Sequence, residues 1–165
     1  MSSVPAQTLA RDPFHGEILD ADGHLYLRWE DALQVYGPNP PGVANAFLRD
    51  YAKTEEFKAN RARNRQPEAL WDIKGMGALG AYDGLERRDA LTAMGVKAQI
   101  LFANNSNYDL LTNSDEARAI ASRYNDFIID LTKRSDNRAR AACHINMGSP
   151  EWAIKEVDRI LKKEI

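Results

Sequence analysis

The chain has 165 residues, 44% of them hydrophobic, with 22 basic and 24 acidic side chains and a formal net charge of -2; this suits one ordinary domain with a core of its own. Charges of both signs are spread along the sequence, which leaves no basic field for nucleic acid. No run approaches the roughly 18 apolar residues of a membrane-spanning helix, Met1–Thr8 lacks the charged and apolar regions of a signal peptide, and a single cysteine, Cys143, excludes an internal disulfide framework and a Cys-rich zinc site. The expected protein is cytoplasmic, with a small molecule rather than nucleic acid or membrane as its ligand.

Residues 1–16 show no periodicity and read as an irregular arm, in which His15 is given no role. Glu17–Asp22 is a short apolar run ending in carboxylates, a strand with polar groups at its C-terminal end. Leu27, Trp29, Ala32, Leu33 and Tyr36 recur at helical spacing until the Gly37–Gly42 segment stops them. Residues 43–82 form a long excursion. It is a polar helix over 43–66, then a flexible connection over 67–82 with Trp71 as its anchor, and such insertions are often functional.

The remainder is more regular. Asp83 followed by Glu86 is a capping-box arrangement opening a helix whose apolar face is Leu85, Ala90, Leu91 and Met94, with Gly95 as the stop. Val96–Ala103 is a strand bounded by the Asn104–Asn107 turn cluster. Ser114 caps a helix over 115–134 with Ala117, Ile120, Ala121, Tyr124, Phe127, Ile128 and Leu131 on its buried stripe. A third strand spans Arg140–Met147. Ser149 and Pro150 then open a last helix carrying Trp152, Ala153, Glu156, Val157 and Ile160.

Strands alternating with helices predict an α/β fold with parallel pairing through helical crossovers. Three βα units alone would leave open sheet edges and uncovered faces. The sequence also stops where a fourth strand would follow. Both features create the expectation of a partial barrel that needs a second chain or segment.

Ligands in such folds bind at the carboxyl ends of strands. Those ends present Asp22 and His24, then Asn104 and Asn105, then His144 and Asn146. Asp22 and His24 are two apart, so in a strand they point to one side and reach one ion, with Gly23 between them letting the backbone turn tightly. Carboxylate plus imidazole suits Zn, Mn or Fe, the hard oxygen moving the balance toward Mn or Fe. Two ligands do not complete a catalytic site, so the others lie elsewhere. His144 is either a hydrogen-bonded strand-end histidine or a substrate contact; Asn146 and Asn104 are further substrate-binding candidates. Cys143 has no basic neighbour and reads as packing. Arg61, Arg63 and Arg65 read as a solvated face, with a substrate entrance as the alternative. Gly75, Gly77 and Gly80 have G-x-G-x-x-G spacing but follow no apolar strand, which excludes a dinucleotide fingerprint.

Ile18-Leu19-Asp20-Ala21-Asp22-Gly23-His24-Leu25-Tyr26, followed by Arg28-Trp29-Glu30-Asp31, resembles the opening of the amidohydrolase-2 family. Its members include the aminocarboxymuconate-semialdehyde and resorcylate-type decarboxylases and related metal-dependent hydrolases. Gly80–Asp83 leading to Met94–Val96, then Gln99–Phe102, then Tyr124–Phe127 running on to Arg138, agree in order and spacing. The resemblance covers the chain from about Glu17. It implies that residues 17–165 are the N-terminal part of a (β/α)8 TIM-type barrel, about its first three βα units, with the excursion after strand one. Asp22 and His24 then stand where the family often has His-x-His, as ligands of a divalent metal. The family's later ligands and acid–base groups lie on strands this sequence does not contain. The implied activity is hydrolysis or non-oxidative decarboxylation of a small carboxylated or carbonyl substrate. It would need a second chain or segment, or an oligomer, to complete the barrel. A non-catalytic partial-barrel subunit or scaffold is the alternative.

Overall fold

The computed structural model describes residues 17–38, 40, 49–104 and 108–163. The N-terminal arm with His15, residues 43–48 of the excursion and Asn105–Asn107 of the turn cluster lie outside the described residues.

Strand β1 (Ile18–Leu25) pairs in parallel with β2 (Val96–Ala103), and β2 in parallel with β3 (Ala139–Ala141), giving a three-stranded sheet of order β1-β2-β3. The expected α/β class with parallel strands is therefore present. β1 runs three residues past its expected end, because pairing continues through His24 with Phe102 and Leu25 with Ala103. It does so across an irregularity between Asp20 and Gly23, an extra residue of the kind that re-aims side chains. β3 is shorter than expected. The Ala142 amide still donates to the Leu101 carbonyl at 2.8 Å, but beyond it the Asn125 side chain takes over. It accepts from the His144 amide at 2.8 Å and donates to the His144 carbonyl at 2.9 Å. Backbone groups that a side chain has satisfied need no ladder.

Helix α1 (Trp29–Tyr36) follows β1, and α2 (Glu55–Arg63), α3 (Ala69–Asp72) and a 3-10 turn at Gly75–Gly77 make up the described excursion. α4 (Gly84–Ala93) precedes β2, α5 (Tyr108–Leu111) and α6 (Asp115–Arg134) join β2 to β3, and α7 (Pro150–Lys162) ends the described chain. Side chains do the capping as the sequence predicts. Asp83, Ser114 and Ser149 accept from the amides of Glu86, Ala117 and Trp152, and Thr54 caps α2. The reciprocal half of the Asp83–Glu86 box is absent, since the Glu86 carboxylate accepts from the Gly80 amide and from Arg61 instead. At α1 the Asp31 carboxylate accepts from the Arg28 amide at 3.1 Å and from the Arg28 guanidinium at 2.8 and 2.9 Å.

α4 packs on β2, α6 on β3, and α1 on α6. Between them lies the core of Leu25, Leu91, Leu101, Ile120, Tyr124 and Ile128. Within β2, Gln99 and Leu101 turn toward this core, whereas Ile100 and Phe102 turn the other way. On that opposite side of the sheet Leu19, Ile100 and Phe102 are 72%, 47% and 44% exposed. Parallel sheets are ordinarily covered on both faces; among the described residues the helices cover one.

Three expected packing positions are corrected. Trp71 is 54% exposed, and Ala69, Ile73 and Met76 anchor the excursion in its place. Leu85 is exposed, while Arg87 is buried on α4 beside Ala90 and Leu91. Arg61 is not on a solvated face: it donates to the Ala78 carbonyl at 3.1 Å, pairs with Glu86 and lies 5.0 Å over the Tyr82 ring. Arg63 and Arg65 are exposed, and none of the three lines the cleft described below. Among the described residues, no helix is long and apolar enough to cross a membrane.

Candidate functional site

The irregularity in β1 sets the local geometry of its C-terminal half. Asp20 accepts from the Asp22 amide at 2.9 Å and from the Gln99 side chain, so its carboxylate is committed to the sheet. Asp22 and His24 are exposed and make no side-chain hydrogen bond among the described residues. Both line one cleft of about 460 Å³, together with Gln99, Arg87, Tyr26, Trp71 and Lys74. Gly23 has a different role from the expected one. Its backbone is not left-handed; a Cβ there would stand 2.5 Å from the Gln99 side chain and 2.6 Å from that of Leu101. The glycine is required so that β1 can lie close to β2.

Arg87 also lines the cleft. It is 8% exposed and donates to the Gly80 carbonyl at 2.6 Å, the Gln99 side-chain oxygen at 3.0 Å and the His24 carbonyl at 2.7 Å. Its charge meets Asp20 only through Gln99. Desolvation is the main influence on it and lowers its pKa to about 10, against the opposing pull of Asp20. Gly80 makes this packing possible, with φ of +74° and a position where a Cβ would lie 2.5 Å from the Arg87 Cα. Arg87 thus fixes the backbone of His24 from beneath. In sequence it was legible only as one basic residue on an otherwise apolar helix face.

The donor pair of Asp22 and His24 suits a divalent cation chemically, as an uncommitted carboxylate and an uncommitted imidazole on the same cleft. Among the described residues there is no group of three or more His, Cys, Asp and Glu able to hold a metal. Two such donors are fewer than a catalytic metal site ordinarily has.

The three other expected site residues do not line this cleft. Asn104 continues the sheet, its amide donating to the Leu25 carbonyl at 2.8 Å. Asn146 is buried, its side chain donating to the carbonyls of Asp109 and Thr112 and accepting from the Gly148 amide. His144 is 6% exposed, and its Nδ1 lies 2.7 Å from the carboxylate of Asp109, itself fully buried. The Tyr124 ring stacks on the imidazole with centroids 3.9 Å apart. Asp109 is the functional-type residue that sequence reasoning missed, since it sits in a four-residue helix next to a turn cluster. A carboxylate flanked by apolar residues in Tyr108-Asp109-Leu110-Leu111 was the available signal. Burial pushes the Cys143 thiol up, consistent with a packing residue.

Compared with known protein families, with curated proteins and with solved structures, the chain finds no match.

Proposed function

We propose that this chain forms the first three βα units of an amidohydrolase-type barrel, and that Asp22 and His24 are the first ligands of a divalent metal, Zn, Mn or Fe. The observation that carries this reading is their joint placement, with no side-chain partner among the described residues, on one cleft along the C-terminal half of β1, toward the strand end where barrel enzymes gather their ligands. The half-covered parallel sheet supports it too, because Leu19, Ile100 and Phe102 would be interior residues once further strands closed the barrel. Those strands would come from outside residues 17–163, within the same polypeptide or from a second chain. The metal when bound supplies Lewis-acid polarisation of a carbonyl or carboxylate, or an activated water. Arg87 holds the His24 backbone in place for it. The substrate class is a small carboxylated or carbonyl compound, and the reaction hydrolysis or non-oxidative decarboxylation.

The test is calorimetric titration of the full chain with Zn²⁺ and, separately, Mn²⁺. One site is expected, with affinity falling tenfold or more in Asp22→Asn and in His24→Gln, on the order of what loss of a ligand does. Equal affinity in wild type and both variants would sink the proposal.

A further inference from the structure

We propose that Asp109 and His144 form a proton-transfer dyad, in which His144 Nε2 is a general base for an O–H group bound beside the end of β3. The proposal stands apart from the metal reading of Asp22 and His24 and would survive its failure.

Four contacts hold His144 in place. Asn125 clamps its backbone on both sides, Tyr124 stacks on the ring, and Asp109 Oδ2 takes Nδ1 at 2.7 Å. Asp109 is anchored in turn by Asn146, which donates to its carbonyl. Nε2 is left over. It makes no hydrogen bond among the described residues, and it is not among their sealed, unpartnered polar atoms, which are Tyr36 OH, Asp109 Oδ1 and Tyr124 OH. What exposure the ring has therefore includes this nitrogen.

Carboxylate on Nδ1 with Nε2 open is the arrangement that selects one tautomer and aims a lone pair outward. A purely structural role explains it poorly. A buried ionisable pair is usually no more stabilising than apolar residues of the same volume, and three buried oxygens with no partner are a further burden. Burial first, then the neighbouring Asp109 carboxylate, pushes the Tyr36 hydroxyl up, and the Tyr124 hydroxyl is raised by burial, then by Tyr36, Asp109 and Cys143. Both phenols therefore keep their protons at neutral pH.

The step balances without a further reagent. The Nδ1 proton is shared with Asp109 Oδ2 throughout. An O–H bond breaks as its proton forms a bond to Nε2, and the oxygen keeps the electron pair for bonding to an electrophilic carbon. The resulting imidazolium, stabilised by Asp109, returns the proton to the departing oxygen or nitrogen.

Two measurements on the full chain in chelator-containing buffer test this. Long-range ¹H–¹⁵N spectra of the wild type should show His144 with its proton on Nδ1 and Nε2 bare; the opposite tautomer overturns the proposal. Hydrolysis of p-nitrophenyl acetate should be slower in D2O than in H2O and should fall about tenfold or more in both His144→Gln and Asp109→Asn, near the low end for general-base catalysis. A wild-type rate no higher than that of His144→Gln, zero included, overturns it. The solvent isotope effect is the readout that a merely structural histidine would not provide.

Discussion

Glu156 stands on the buried stripe of α7 between Ala153 and Ile160, where an apolar side chain would be expected. Its carboxylate accepts from Asn125 at 2.9 Å, Ser122 at 3.0 Å and Arg159 at 2.7 Å. Asn125 is the same residue that clamps His144, so the α7 face is tied to the end of β3 through one amide. Burial works to raise the Glu156 carboxyl, but hydrogen bonds from Arg159, Asn125 and Ser122 outweigh it and hold it below its ordinary value of 4.5. A depressed carboxyl contributes stability that is present above pH 4.5 and is lost as pH falls through the lower folded-state value. Urea unfolding at a series of pH values should therefore show stability declining below about pH 4.5, with a flatter decline in Glu156→Gln. Glu156→Ala should lose about 2 kcal/mol at neutral pH, because it leaves buried donors without an acceptor. Arg87 shows the same lesson on α4. In both helices a charge on the inner face interrupts the apolar pattern, and partners distant in sequence make it part of the core.

At the scale of elements, the helix starts are the best-determined features. Ser114 and Ser149 accept from the third amide beyond them at 3.1 and 3.4 Å, so each satisfies a donor that the helix leaves free. Ser114→Ala should destabilise the chain by about 1 kcal/mol in chemical denaturation. Ser149→Ala should lose less, because its bond is longer and Pro150 already presets the first turn. A larger loss at Ser149 than at Ser114 would contradict this ordering. Strand ends were less legible than helix starts. β1 outran the apolar pattern because β2 was there to pair with Gly23, His24 and Leu25, and β3 fell short because Asn125 competed for its backbone. Both outcomes depend on neighbours that no window of a few residues contains.

For the whole molecule, the unequal covering of the sheet is the dominant feature. Leu19, Ile100 and Phe102 form part of an apolar surface on the side that α4 and α6 do not reach, and exposed apolar surface of this kind binds hydrophobic dyes and partners. The wild-type chain should enhance the fluorescence of an anilinonaphthalene dye, and the Ile100→Lys/Phe102→Lys pair should abolish most of that signal. Stability should change by no more than about 0.5 kcal/mol per site, as for other exposed positions. An unchanged dye signal would show that this face is not the binding surface.

The order of strands and helices, their parallel sense, the helix caps at Asp83, Ser114 and Ser149 and the buried stripe of α6 were all determined by the sequence itself. Asp22 and His24 were expected at the end of the first strand, and they lie within the C-terminal half of β1, which runs on to Leu25. Periodicity and capping act within one or two helical turns, so a short window contains the residues responsible. Tertiary structure alone decided that Asp109 meets His144, 35 residues away, that Asn125 meets Glu156 across 31, and that Arg87 meets Gln99 across 12. It also decided that Trp71 faces solvent while Asn146 is buried. These outcomes follow from which elements pack together. A buried polar side chain takes whatever donor or acceptor that packing brings within about 3 Å, and no local pattern announces the partner.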